Sequence, residues 1–333
     1  MRTDICHCAP VKSPDLCKAV DFHPWFKGFF LSADPSFPPP FCGIIARMRA
    51  ARHLIPPLFA AITLAAQSPQ GRGPGAPGGE QMRQATQLDL DGKGAEARVL
   101  FQQAIDAAAT PAAKANAQRA MAMSWAFEGD CKKTAEYEDM VIAYWKTQES
   151  EAPGNAFYQQ GEMADEAARV CIDNGDLDTA QKYYKLGHEL GLKEPGISPG
   201  RKDLWDFRWE HAQARIAARR GNKPEAEKHV AAAKTILDDM KQKDERLHQQ
   251  QSSFLPYLTG YVALYTGDSK TALADLQNAS QNDAFIQCLI GIAYEKLGEK
   301  DKAMEAWRKA AEVRGHNPPA AFAKPFARKK LGA

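Results

Sequence analysis

Small and apolar residues recur at helical spacing through most of the chain, and no stretch alternates apolar and polar residues with a period of two. In the stretch GIAYEKLGEKDKAMEAWRKA, Gly291 and Tyr294 precede a turn residue, Gly298. Ala303 and Trp307 follow that turn. Small residues let two helices approach closely, and aromatic residues fill the space between them. The pattern therefore predicts two helices joined by a tight turn.

The same pattern recurs along residues 81–315, where a glycine at each turn is followed five positions later by a small residue. Alanine stands at that position in five of the six units, and Thr134 stands there in the unit of Gly129. The turn glycines are Gly92, Gly129, Gly175, Gly221, Gly267 and Gly298. We therefore expect an all-α domain that is built from successive helix pairs.

This spacing resembles the tetratricopeptide repeat (TPR) family, most clearly in the units around Gly175, Gly221, Gly267 and Gly298. The resemblance implies a right-handed α-solenoid of antiparallel helix pairs, whose concave surface is usually a docking face. Three middle units exceed the family period of about 34 residues. We expect longer helices there, together with loops such as KEPGISPG (193–200), because proline and glycine disfavour helix interiors.

The N-terminal region has a different composition from the repeats. Residues 48–66 carry two arginines followed by an apolar run and small residues, the pattern of a secretory signal peptide. We expect the Pro-rich residues 1–47 to be disordered and to lie upstream of the true start at Met48. Residues 67–80 are rich in glycine and proline, which is typical of a linker. The predicted location is therefore periplasmic or secreted.

The charge balance gives little reason to expect nucleic-acid binding, since 43 Lys and Arg residues face 41 Asp and Glu residues. In the C-terminal segment 316–333, we expect Phe322, Phe326 and Leu331 to cap the apolar edge of the last helix pair. Cations in this segment allow a peripheral membrane contact as the alternative.

The cysteines outside the N-terminal region are Cys131, Cys171 and Cys288. In a solenoid of this type, Cys131 and Cys171 would both lie at the turn edge of neighbouring units. They either form a disulfide or remain two buried thiols, and Cys288 is expected to be a packed thiol. The Cys-His-Cys run at residues 6–8 does not have the spacing of a metal site.

Catalytic motifs are weak in this sequence. Residues 196–200 match the serine-hydrolase pattern GxSxG, but Pro199 lacks the backbone N–H that an oxyanion hole needs at that position. No other group of residues combines an acid, a base and a nucleophile. We therefore expect no enzymatic activity and no cofactor.

An aromatic and a basic stripe mark the predicted binding groove. Tyrosines recur every four residues on one predicted helix, and arginines with one histidine occupy matching positions on the helix before it. The predicted groove residues are Arg208, His211, Arg215, Arg219, Phe254, Tyr257, Tyr261 and Tyr265. Such side chains would suit a protein or peptide ligand with acidic and apolar residues. Alternatively, the tyrosines pack between units and the arginines face solvent.

These features favour a non-enzymatic scaffold or adaptor for protein–protein interactions in the bacterial periplasm or cell envelope. The alternative is an envelope protein that binds a small molecule or a glycan and has hydrolytic activity. In that alternative, the loop 193–204 closes over a pocket.

Overall fold

The computed structural model describes residues 79–332, which contain α-helices and no strand. The prediction of an all-α protein is confirmed for this part of the chain. The predicted segments 1–47 and 48–66, and nearly all of 67–80, lie outside it. The helices are α1 (Gly79–Leu90), α2 (Gly94–Asp106), α3 (Pro111–Phe127), α4 (Cys131–Lys146), α5 (Pro153–Asn174), α6 (Leu177–Gly191), α7 (Pro199–Arg219), α8 (Lys223–Lys243), α9 (Glu245–Gln251), α10 (Phe254–Tyr265), α11 (Ser269–Leu276), α12 (Ala284–Lys296), α13 (Lys300–Glu312) and α14 (Pro318–Leu331).

The six predicted turn glycines all lie between helices, as the sequence pattern predicts. Each has a positive φ, from 74° at Gly129 to 98° at Gly267. Side chains with a Cβ rarely adopt this left-handed conformation, so glycine ends each of these helices with little strain. The turns after α1, α3, α5, α7, α10 and α12 are made in this way.

The residue after the turn glycine starts the next helix in four of these turns. Asp130, Asp176, Asn222 and Asp268 each accept a hydrogen bond from the backbone N–H three residues further on. Such N-caps satisfy one of the unpaired N–H groups of a helix and stabilise it by about 1 kcal/mol. The pair of a glycine and a capping residue therefore ends one helix and begins the next within two positions.

Glycines inside the helices mark close approaches between partners. A Cβ at Gly291 would lie 2.2 Å from Nε1 of Trp307, and one at Gly260 would lie 2.7 Å from Cγ of Leu276. No side chain fits at these distances unless the helices separate. The expected close packing of α12 against α13 is therefore confirmed, and α10 approaches α11 in the same way.

The longer middle units arise from both expected sources. Helices α5, α7 and α8 have 22, 21 and 21 residues, and the short helix α9 follows α8. The expected loop 193–200 ends earlier than predicted, because Pro199 is the first residue of α7 and Ser198 caps it. Proline is tolerated there, since the first N–H groups of a helix have no intrahelical partner.

The C-terminal segment forms helix α14 rather than an irregular tail. Phe322, Phe326 and Leu331 pack against the apolar cluster of α12 and α13, as expected for a cap. Helix α14 also packs against α3 and α5, where Ala321 joins a cluster that includes Ala122 and Val170. The sequence pattern does not predict this second contact.

A buried polar contact joins the beginning and the end of the described chain. His316 Nε2 lies 2.8 Å from Oδ2 of Asp89, and the Ser124 hydroxyl donates a hydrogen bond to the other oxygen of that carboxylate. The His316 ring stacks on Phe127 with the ring centroids 5.4 Å apart. Residues at the ends of α1 and α3 therefore hold the segment that leads into α14.

Between Gly79 and Gly332, no helix is both long enough and apolar enough to cross a membrane.

Candidate functional site

The predicted groove residues lie on α7 and α10, but most of them are not exposed. Six of the eight are buried, and Arg219 and Tyr265 are partly buried. Tyr261 has no exposed surface, and Arg215 retains only 3% of its exposure. The stripe is therefore not an open surface for a partner in this structure. The buried residues are Arg208, His211, Arg215, Phe254, Tyr257 and Tyr261.

Three of these side chains, Arg215, Tyr257 and Tyr261, belong to a buried polar group that we call the inner cluster. Arg215 donates hydrogen bonds to the hydroxyl oxygens of Tyr257, at 3.1 Å, and of Tyr184. Arg169 pairs with Asp173 one helical turn away on α5, with Nε and Oδ2 3.0 Å apart. The inner cluster consists of Arg169, Asp173, Tyr184, Arg215, Tyr257 and Tyr261, from helices α5, α6, α7 and α10.

Aromatic residues from α12 and α14 cover the inner cluster. The Arg169 guanidinium lies 4.4 Å from the centroid of the Phe285 ring, and the Phe285 ring lies 6.0 Å from that of Tyr257. Phe322 of α14 contacts Phe285 with the centroids 5.3 Å apart. Long-range packing of α12 and α14 therefore buries the inner cluster. The burial of the tyrosines agrees with the alternative in which they pack between units. The same alternative placed the arginines in solvent, which is wrong for Arg208 and Arg215.

A row of carboxylates on α5 extends the buried polar network. Glu162 pairs with Arg208, and the Asp165 carboxylate lies 3.9 Å from the same guanidinium. Glu166 accepts a hydrogen bond from Arg119 Nε at 3.0 Å. The cationic side chains of α3 and α7 therefore face the acidic side chains of α5. Ion pairs link these three helices.

Burial changes the protonation of two carboxyl groups in this network. It raises the pKa of Asp165 to about 8, against the opposing attraction of Arg208. Burial, with repulsion from Glu166 as the next cause, raises the pKa of Glu138 well above its ordinary value. Both carboxyls therefore hold a proton more tightly in the folded protein than in the unfolded chain.

His211 lies beside the inner cluster as a neutral ring. Burial lowers its pKa well below the ordinary value, and the charges of Arg215 and Arg169 add to this shift. Its ring centroid lies 5.1 Å from that of Tyr257. An unprotonated imidazole packed among aromatic rings contributes to the core. It does not supply the positive charge that the predicted basic stripe needs at this position.

Cys131 and Cys171 form a disulfide, which was one of the two alternatives for this pair. Their Cα atoms are 4.8 Å apart, and the bond joins the first residue of α4 to α5. Cys288 is a buried free thiol, as expected, and burial raises its pKa. The disulfide links the helix of the carboxylate row to a helix that also forms an exposed cleft.

That exposed cleft lies between α2 and α4, with α3 as its floor, and we call it the α2–α4 cleft. Its volume is about 440 Å³. Met121 and Trp125 form the floor, Val99 forms part of one wall and Tyr137 forms the other wall. The complete lining is Ala95, Arg98, Val99, Gln102, Gln103, Met121, Trp125 and Tyr137.

The apolar surface at this cleft is unusual for the described residues. Val99 is 57% exposed and Met140 is 46% exposed, and these are the exposed large hydrophobic residues within 79–332. Met140 lies beside the cleft floor, since its sulfur contacts Gln118 at 3.3 Å, one helical turn before Met121. Val99 is therefore part of the cleft lining, and Met140 contacts α3 one helical turn before the lining residue Met121.

Some polar groups of the α2–α4 cleft already interact with other residues of the protein. The Arg98 guanidinium lies 4.1 Å above the Trp125 ring and 3.3 Å from the Glu128 carboxylate. The buried Trp125 indole N–H has no acceptor among the described residues. The cation of the cleft is therefore neutralised, and the unpaired indole N–H is buried rather than presented to a ligand.

A smaller pocket of about 240 Å³ lies where α14 meets the turn after α1. Its lining includes Asp89, Glu128, Lys324 and Arg328. Its volume is below the range of about 300–1,000 Å³ that is typical of small-molecule sites. No group of three metal-ligating side chains occurs within the described residues. The loop 193–204 of the alternative function does not exist as such, because residues 199–204 belong to α7.

Sequence reasoning missed the α2–α4 cleft, although a signal was present. The buried positions of α2 are Gly94, Ala97, Phe101 and Ile105, which repeat every three or four residues. Val99 falls two positions from that stripe, so its apolar side chain lies on the polar side of the helix. No protein-family model and no curated protein sequence matches this chain.

Proposed function

We propose that this protein is an exported, non-enzymatic scaffold that binds a protein or peptide ligand in the periplasm or cell envelope of a bacterium. The proposal includes a TPR-like right-handed α-solenoid. Successive helix pairs with a glycine at each turn support that architecture. The Cys131–Cys171 disulfide and the signal-like residues 48–66 support export, because disulfides persist in oxidising compartments.

The observation that carries the binding role is the α2–α4 cleft. Binding sites are commonly concave and lined by apolar and aromatic residues with a few polar groups. This cleft has that composition, and Val99 and Met140 add exposed apolar surface beside it. The docking surface that we propose therefore differs from the predicted inner groove.

Affinity capture from envelope extract tests this role. The double variant Val99→Asp and Met140→Asp places charges at two exposed apolar positions, where neither side chain supports the core. We expect the unaltered protein to capture a reproducible partner and the double variant to lose it. Arg308→Asp, on an exposed position of α13, is the matched control. Equal capture by all three proteins would contradict a role for the α2–α4 cleft.

Export has an independent test. We expect the mature protein in the periplasmic fraction to begin just after residue 66, as N-terminal sequencing would show. Recovery of a peptide that covers Asp21 to Lys27 from the native protein would contradict the proposed start at Met48.

A further inference from the structure

Helix α14 lies across helices that come from different parts of the chain. It packs against α12 and α13, which directly precede it, and also against α3 and α5. Ala321 belongs to the apolar cluster of α3 and α5, whereas Ala323 and Ala327 belong to the cluster of α12 and α13. None of these three alanines is more than 2% exposed. We call the surface beneath this helix the α14-covered surface, and it includes Met123, Val170, Phe285, Cys288 and Trp307.

The side chains of α14 form two adjacent columns on this surface. Phe322 and Phe326 stand one helical turn apart, with their ring centroids 5.4 Å apart, and Phe322 contacts Phe285 at 5.3 Å. Ala323 and Ala327 have the same spacing, one position further along the helix. Residues four positions apart lie one above the other on the same face of a helix. The α14-covered surface therefore accepts a helix that carries one column of aromatic residues beside one column of small residues.

Charge complementarity favours a basic helix at this position. Helix α14 contains Lys and Arg residues and no acidic residue. The Lys330 ammonium donates hydrogen bonds to both carboxylate oxygens of Glu295, at 2.8 and 2.7 Å. The lining of the pocket beside α14 brings Arg328 together with Asp89 and Glu128. Carboxylates along the edge of the α14-covered surface would attract a cationic helix and repel an acidic one.

One buried cation weakens the attachment of α14. Lys324 is only 7% exposed, and its ammonium donates hydrogen bonds to the carbonyl oxygens of Ala311 and Val313 at 2.7 and 3.0 Å. These oxygens carry no formal charge, and burial lowers the pKa of Lys324. Burying a cation without an ionised partner costs free energy, and the partly exposed pair of Lys330 and Glu295 offsets little of that cost. Helix α14 is therefore held less firmly than an apolar helix of the same shape would be.

We propose that α14 is a displaceable internal ligand, and that the surface it covers binds an amphipathic, basic helix of a partner protein with adjacent columns of aromatic and alanine residues. The non-helical residues 313–317 let α14 turn away while the earlier helices keep their contacts. A partner helix uses the same contacts as α14, so α14 competes with it and lowers its apparent affinity. The α14-covered surface consists of other residues than the α2–α4 cleft, so this inference goes beyond the proposed function.

A labelled peptide with the sequence of residues 316–333 serves as the probe helix in fluorescence anisotropy on the full-length protein. In the release variant, Ala323→Glu with Ala327→Glu places charges at two buried positions of α14 and leaves the surface beneath unchanged. We expect this variant to bind the probe at least about tenfold more tightly than the unaltered protein does, because its own α14 no longer competes. Lys329→Glu, exposed on α14, is the matched control and should bind like the unaltered protein. Equal binding by the release variant and the unaltered protein would overturn the inference.

Two altered probes test the chemistry of the partner helix on the release variant. A peptide that carries the same two Glu substitutions should not bind, because its column of small residues is lost. A peptide in which every Lys and Arg is replaced by Glu should bind at least several-fold more weakly. Binding of either altered probe as tight as that of the original peptide would contradict the proposed class of helix.

Hydrogen exchange followed by mass spectrometry tests whether α14 detaches on its own. In the unaltered protein we expect the α14 amides to exchange through local opening, faster than those of α5 and α12. In the release variant α14 should lose its protection while α5 stays protected. If α14 exchanges only with global unfolding, or if the release variant unfolds completely, α14 is an integral part of the core and the inference is overturned.

Discussion

The inner cluster and the α2–α4 cleft reverse the usual distribution of side chains. The inner cluster holds arginines and an aspartate in the interior, whereas Val99 in the cleft and Met140 beside it are exposed to solvent. Charged side chains are rarely buried unless they are paired. The difference shows that the residue types along one face of a helix do not reveal whether that face binds a partner. Packing by distant helices decides whether the face is exposed.

The largest expected effect comes from breaking a charge pair of the inner cluster. Arg169→Ala removes the partner of Asp173, which stays buried, and should lower the free energy of unfolding by about 3–5 kcal/mol. Urea denaturation followed by circular dichroism measures this change. Arg220→Ala breaks an exposed pair with Asp178 and is the control, for which we expect a small change. Similar losses in both variants would mean that the inner cluster contributes no more than a surface pair.

Removing the disulfide should have the next largest effect. Replacing Cys131 and Cys171 with serine releases a crosslink across 40 residues, and we expect a loss of about 2–4 kcal/mol. The bond joins α4, a wall of the α2–α4 cleft, to α5, which carries Arg169 and Asp173. Reductant should lower the melting temperature of the unaltered protein and leave that of the double-serine variant unchanged. Insensitivity of the unaltered protein to reductant would contradict the bond.

The pH dependence of stability tests the buried carboxyls. Because the folded pKa of Asp165 is raised to about 8, its contribution is fully present below its ordinary pKa and is lost as pH rises towards 8. We expect the melting temperature to fall over that range and to fall less in Asp165→Asn, since Glu138 still contributes. Asp301→Asn, exposed on α13, is the control. An identical pH profile for Asp165→Asn would disprove the proposed titration.

The smallest effect on stability is expected at the cleft. Val99→Ser and Met140→Ser remove exposed apolar side chains, so the free energy of unfolding should change by no more than about 0.5 kcal/mol. Binding of the captured partner should nevertheless weaken. If these variants unfold the protein, then Val99 and Met140 support the core and the comparison between the two regions fails.

The local part of the fold could be predicted from the sequence. Gly175 and Ala180 show why, since a positive φ and a close helix contact each restrict the residue at one position. The caps at Asp130 and Asp176 directly follow turn glycines, so the sequence also indicates where these helices begin. Such signals act within a few residues, so they need no knowledge of the rest of the chain.

The burial of the predicted groove residues could not be predicted from such local signals. Tyr261 is covered by Phe285, and Phe285 by Phe322, through contacts between residues far apart in sequence. Their meeting depends on how α10, α12 and α14 are oriented relative to one another, and the spacing of turn glycines does not specify these orientations. For the cleft, Val99 was a local signal, but the walls from α2 and α4 are brought together by the packing of both helices on α3.

The contact between His316 and Asp89 has a consequence for how the protein folds. The two residues are 227 positions apart, so the contact can form only when nearly all of the described chain is available to fold. Until α14 has docked, the Phe285 ring and the charged groups beneath it lack their cover. Folding intermediates without α14 should therefore expose this aromatic and charged interior, and a chaperone that shields it would act late in folding.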